Sequence, residues 1–242
     1  MKTLLITLAL VLLLTTAAGA TQTKCYSWED GTGTIMGYNG ANLKQPSNVT
    51  GPQAGWAGIT VPYSCPGAYH GTHYLHVAED PHTGTPQAYV AYVQNLVNGD
   101  VVTASFFGYD TSAGQGTSVT FPSLRIWAHY ALNDSITSYN GSAIPSTPNP
   151  LYTSGSPAGW CITQWTINFG TDGSPTGNPQ ALVIEARLYS VPVTSDPNHT
   201  DYWIDYVRVS APDHATITFP GPSDPATAVE NSTWGRIKSL FR

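Results

Sequence analysis

The chain has 242 residues, of which only 10% are charged, and a formal net charge of −6. Apolar residues make up 41%, with 7 Trp and 14 Tyr among them, which is enough to build a core and excludes a wholly disordered chain. The shortage of Glu and Lys excludes a coiled coil or helical bundle, and the acidic balance argues against a nucleic-acid binder, which needs a basic face.

Residues 1–20 read as a secretory signal peptide. Lys2 gives a basic start, Leu4 to Leu14 is an apolar run, and Ala18-Gly19-Ala20 is a small-residue cleavage site. No other stretch approaches the roughly 18 apolar residues of a membrane span. The expectation is an exported protein, secreted or held at the cell surface, that folds where disulfides form. Three cysteines remain, Cys25, Cys65 and Cys161. They allow one bridge and one spare thiol, with Cys25–Cys65 favoured because both lie in the N-terminal third; three buried thiols are the alternative. No C-x-x-C pair is present, which removes a zinc ribbon and a redox motif.

The strand pattern follows in chain order. Thr72–Ala78 alternates, with Tyr74 and His76 on one face and His73, Leu75 and Val77 on the other. Pro86–Asp110 reads as two strands around the turn Asn98-Gly99-Asp100. Ser123–Ala131 puts Leu124, Ile126 and Ala128 on one face and Arg125, Trp127 and His129 on the other. Trp160–Phe169 is a further strand. Ala181–Tyr189 sets Leu182, Ile184, Ala186 and Leu188 against Val183, Glu185, Arg187 and Tyr189, and Tyr202–Val209 closes the series. Gly-, Ser- and Pro-rich loops separate the strands. Many strands without helices imply an all-β antiparallel sandwich, a jelly roll, as a single domain over residues 21–211.

Residues 212–228 are punctuated by proline and read as a linker. Residues 229–242 read as a short helical tail, with Trp234, Ile237 and Phe241 at helical spacing beside Arg236, Lys238 and Arg242. Such a tail either docks on the sandwich as a plain chain end or contacts an acidic or membrane surface.

Three segments in order carry a family resemblance: Ser27-Trp28-Glu29-Asp30-Gly31, His70-Gly71-Thr72-His73-Tyr74-Leu75-His76-Val77 and Tyr202-Trp203-Ile204-Asp205-Tyr206-Val207-Arg208-Val209. The chain resembles the jelly-roll carbohydrate-binding modules of the galactose-binding-like group, from about Cys25 to Val209. It departs from them at Tyr206, where that family usually has a second Asp, and no catalytic domain accompanies it. The resemblance implies a structural calcium held by Glu29 and Asp205, an ion that takes hard oxygen ligands. Carboxylates solvated or bonded to loop amides are the alternative. The resemblance also implies a polysaccharide or other glycan as partner.

Sugar-binding sites stack rings on aromatic side chains and reach hydroxyls with polar ones. The candidates are Arg125, Trp127 and His129 on their shared strand face, Tyr109 at a strand end, Tyr89 and Arg187; ordinary packing is the competing role for Trp127. Trp28, Trp160, Trp165 and Trp203 read as core or rim. His70, His73, His76 and His82 do not gather around one metal, because His73 and His76 face opposite ways on a regular strand. No catalytic set is assigned. Glu185 stands alone on its strand as a carboxylate, Glu79 and Asp80 diverge, and no nucleophile elbow, phosphate loop or His-Glu-x-x-His occurs. The Arg-rich strand and Gln-x-His pair of jelly-roll lyases are lacking. The function expected is a secreted, non-catalytic carbohydrate binder. A structural or adhesive surface protein, and a polysaccharide lyase or glycosidase, are the alternatives.

Overall fold

The structure, a computed structural model, describes residues 20–39, 47–50, 70–79, 87–110, 124–143, 161–188 and 200–223. Through them run β1 Thr21–Tyr26, β2 Gly37–Asn39, β3 Ser47–Thr50, β4 His73–Glu79, β5 Gln87–Gln94, β6 Val101–Asp110, β7 Leu124–Ala131, β8 Cys161–Asn168, β9 Ala181–Leu188, β10 Thr200–Pro212 and β11 Thr216–Thr218. Two antiparallel sheets divide them. The first has the order β3-β4-β10-β6-β8, with β1 also on β10; the second has β11-β5-β9-β7, with β2 also on β5. No helix occurs among the described residues, and none there is long and apolar enough to cross a membrane.

The alternation of the sequence explains how the layers meet. Leu124, Ile126 and Ala128 of β7, with Leu182, Ile184 and Ala186 of β9, turn inward from the second sheet; Val102, Ala104 and Phe106 of β6, with Trp165 and Ile167 of β8, turn inward from the first. All belong to one buried cluster. Each fully buried Leu, Ile or Phe in it contributes about 1.5–3 kcal/mol through apolar area removed from water.

Strand β10 is the spine of the first sheet. Its first half pairs with β4, Ile204 opposite Leu75, and its second half with β1, Val207 opposite Tyr26. The register on β6 slips between Asp205 and Arg208. A bulge of this kind lets Ile204 and Val207, three apart, both point into the core. Tyr206 sits in it at φ 50°, a conformation uncommon for a non-glycine residue.

Several expectations change. The two strands expected around Asn98-Gly99-Asp100 are β5 and β6, but they do not pair with each other: β5 pairs with β9 and β6 with β8, so the turn crosses from one sheet to the other. It is fixed there by main-chain bonds in both directions between 99–100 and Phe169. The turn chemistry was legible, but both strands bury a face, and two-layer packing overrides the local pairing. The linker expected from residue 212 also gives way to structure. Strand β10 reaches Pro212, β11 pairs with β5, and Ala215, Ile217 and Phe219 are buried. Phe219 stacks on Tyr26 with ring centres 5.7 Å apart, so the last part of the described chain completes the core. The signal peptide (1–19 of it), the helical tail at 229–242, Cys65, His82, Trp160, Trp234 and Tyr189 lie outside the described residues.

Candidate functional site

The outward face of the second sheet gathers five of the six side chains expected to bind sugar. Rows of residues cross β7, β9 and β5. Arg125 stands opposite Arg187, which stands opposite Gln87; Trp127 stands opposite Glu185, which stands opposite Tyr89. His129 follows two residues along β7. The sixth candidate, Tyr109, is not here. It lies on β6, opposite Trp203 of β10 in the other sheet, because the turn after β5 changes layer.

Glu185 organises this face. Its side chain is fully buried and shared: Oε1 meets His129 Nδ1, and Oε2 accepts a hydrogen bond from Arg187 Nη2 at 3.0 Å. The same Nη2 donates to Gln87 Oε1 at 2.9 Å. The guanidinium carbon of Arg187 then lies 4.2 Å from the centre of the Trp127 ring, within cation–π range. Trp127, Arg125 and Arg187 are part-exposed, while His129 is buried. A buried carboxylate is tolerated only when paired and hydrogen-bonded, and here two donors converge on it.

Two tyrosines flank His129. The ring of Tyr89 meets it edge-on at 5.3 Å, and that of Tyr139 lies at 5.4 Å. Burial, then the nearby charge of Glu185, pushes the Tyr89 hydroxyl up to about 12 despite the opposing Arg187, so it remains a protonated donor at neutral pH. Tyr139 is 66% exposed. Its loop is tied along β7 by Asn140 N–H to Tyr130 O, Tyr130 N–H to Gly141 O and Ala143 N–H to Ala128 O. Gly141, at φ 101°, also lets the loop pack against the segment before β9, since a Cβ there would stand 1.9 Å from Ser174 O. At the other end of the face a cleft of about 400 Å³ opens, lined in part by Met36, Tyr92, Gln94, Asn133 and Ile136.

The sequence reading missed Glu185 as a functional residue, along with Gln87 and Tyr139. The signal for Glu185 was present: a lone acid inside an apolar strand, two residues from an arginine, marks a buried pair on one face.

The expected metal ligands form a second cluster. Glu29 Oε1 accepts the N–H groups of Thr72 at 2.9 Å and His73 at 2.7 Å, and Oε2 accepts the Thr72 hydroxyl at 3.2 Å. Asp205, fully buried, accepts the N–H of His70 on Oδ2 at 2.8 Å and that of Tyr206 on Oδ1 at 2.7 Å. Partial burial opposes ionisation of Glu29, but the donors on Thr72 and His73 outweigh it and hold its carboxyl below the usual value of 4.5. The His70 ring stacks on Tyr206 at 4.8 Å. Both carboxylates therefore fasten the turn that leads into β4. Among the described residues, no three His, Cys, Asp or Glu side chains are placed to hold an ion. These N–H groups hold the two carboxylates as an amide clamp. Trp28, Trp165 and Trp203 are buried, as expected. Cys25 is half-buried on β1 opposite Arg208, and its expected partner lies outside the described residues.

No protein-family model and no curated protein matches the chain. Among solved structures, it is similar to TmCBM27, a carbohydrate-binding module described for specific mannan recognition. The likeness has a TM-score of 0.35 and 12% identity, and it covers 79% of this chain and 98% of that one.

Proposed function

We propose that the protein is a secreted, non-catalytic carbohydrate-binding module whose glycan site is the outward face of the second sheet. The observation that carries this reading is the single row-on-row platform of Trp127, Arg187, Gln87, Tyr89 and Tyr139 around the buried Glu185–His129 pair. A part-exposed Trp offers an apolar ring face for a sugar ring, and the fixed donors and acceptors beside it orient hydroxyl groups. The side chains are held by neighbours rather than by the ligand, which lowers the ordering cost of binding. The jelly-roll resemblance of the opening, central and closing motifs points the same way.

Native electrophoresis in gels containing soluble glucan, xylan, mannan or uronic-acid polymer tests the reading. Retardation on at least one glycan, lost in Trp127→Ala, is the expected result. Unretarded migration on every glycan would end it.

A further inference from the structure

The two ring nitrogens of His129 stand in different surroundings. Nδ1 meets Oε1 of Glu185, a carboxylate whose other oxygen is held by Arg187. A carboxylate only accepts, so Nδ1 carries the proton and donates it. In the neutral ring Nε2 then has no proton and presents a lone pair. It bonds to no protein group among the described residues. Nor is Nε2 sealed from solvent, although His129 as a whole is only 2% exposed. A buried imidazole on the outward face thus offers one acceptor atom, flanked by the rings of Tyr89 and Tyr139. A ligand that covers this atom must supply a donor, because a buried acceptor left without one is unfavourable.

From this arrangement we infer that the glycan bound here is a neutral one, and that one of its hydroxyl groups donates to His129 Nε2. The inference rests on the carbohydrate-binding reading above. A sugar hydroxyl carries a donor, whereas an ionised carboxylate brings only acceptors and would set lone pairs against a lone pair. The small opening over the ring suits a single oxygen atom rather than a whole sugar. Glu185 acts here as a positioning residue: by accepting from Nδ1 it fixes which nitrogen is left to accept. It also pairs with Arg187 at 3.0 Å, so that arginine already has its counter-charge within the protein. Asp134 lines the cleft at the end of the face and disfavours an anionic polymer there. Trp127 precedes His129 by two residues on β7, about 7 Å along the strand at 3.3–3.4 Å per residue. Tyr139, 66% exposed, offers a second ring beside the histidine. A neutral chain running along β7 thus meets Trp127 with one sugar and Tyr139 with another, and passes its hydroxyls over Nε2.

The test uses the full chain, soluble glucan, xylan and mannan as neutral probes, and polygalacturonate as the acidic one. Retention by at least one neutral glycan, and weaker retention by polygalacturonate, is expected. The 15N ring resonances of His129, assigned by their absence in His129→Asn, are then followed in mildly alkaline buffer, where imidazole is uncharged. They should show the proton on Nδ1, and an unprotonated Nε2 whose resonance moves as the retained glycan saturates. His129→Asn keeps an amide N–H for Glu185 but places no acceptor where Nε2 stood. It should weaken binding at least about tenfold, a change of about 1.4 kcal/mol. His129→Gln, which returns an amide oxygen to that place, should recover part of the loss. A proton on Nε2 in the free protein, or an Nε2 resonance that stays fixed at saturation, overturns the hydroxyl assignment without any variant having to fold. If Trp127→Ala still abolishes binding in that case, the carbohydrate reading stands. Stronger retention by polygalacturonate than by every neutral glycan overturns the neutral assignment. Failure to bind any glycan overturns the carbohydrate reading and this inference together.

Discussion

Arg187 lies across the ring of Trp127, its guanidinium carbon 4.2 Å from the ring centre. The contact joins β9 to β7 on the exposed side of the second sheet and fixes both groups that the proposed site depends on. Cation–π contacts at part-exposed positions contribute about 0.5–1 kcal/mol, so Trp127→Ala should lower stability only by that order. Its effect on glycan affinity should be larger, at least about 2 kcal/mol, as for a central aromatic anchor. Thermal melts beside affinity electrophoresis separate the two; equal small losses in both would remove Trp127 from the site.

Glu185 should behave in the opposite way. It is fully buried and holds His129 and Arg187 together. Removing one partner of a buried charged network leaves the others uncompensated, at a cost of about 3–5 kcal/mol. Glu185→Ala is therefore expected to lose that much stability in urea denaturation, and Glu185→Gln less, because the amide oxygen still accepts. A loss under 1 kcal/mol for Glu185→Ala would mean the network is not a structural keystone.

The amide clamp on Glu29 predicts an acid limb. A carboxyl whose folded pKa lies below its unfolded one stabilises the fold while it is ionised. For Glu29 that contribution is complete above the ordinary value of 4.5 and drains away as the pH falls through the lower folded value. Glu29→Gln should flatten this part of the stability-against-pH curve and leave the curve near pH 7 parallel to that of the parent protein. Because the clamp is made of N–H donors, a calcium chelator at neutral pH should leave the melting temperature unchanged. A chelator-induced drop that disappears in Asp205→Ala would instead establish the calcium site implied by the family resemblance.

Gly71 probes the same clamp from the backbone side. It has φ 64°, and a Cβ there would stand 2.4–2.6 Å from the carboxylate atoms of Glu29. Gly71→Ala should destabilise by at least the roughly 1–2 kcal/mol of a left-handed non-glycine residue, with Glu29 forced off its donors. A neutral melt would contradict the clamp geometry.

The alternation of β7 and β9 was legible to the residue. Arg125, Trp127 and His129, and Glu185 with Arg187, share the faces that period two assigns them. What the sequence could not show was which strands become neighbours. Tyr109 looked equivalent to Tyr89, yet one layer change at Asn98–Asp100 sends them to different sheets. Glu185 looked isolated because its partners come from another strand and from two places along its own. The short strands β2, β3 and β11 carry three or four residues each, too few for periodicity to speak. Ile217 and Phe219 hid among prolines, where local composition signals a linker and only tertiary packing reveals a core.

That packing predicts that Phe219→Ala costs about 3–5 kcal/mol, as for other buried Phe truncations. The loss should be read in urea unfolding, where a linker residue would give a change near zero.

The central claim, that the outward face of the second sheet receives the glycan, is tested most directly by the tryptophan side-chain N–H resonances of the 15N-labelled protein during titration with a retained glycan. The resonance assigned to Trp127 by its absence in Trp127→Phe should move in proportion to saturation, while those of the buried Trp28, Trp165 and Trp203 stay in place. A Trp127 signal that stays fixed at saturating glycan, with the shifts appearing elsewhere, would contradict the account.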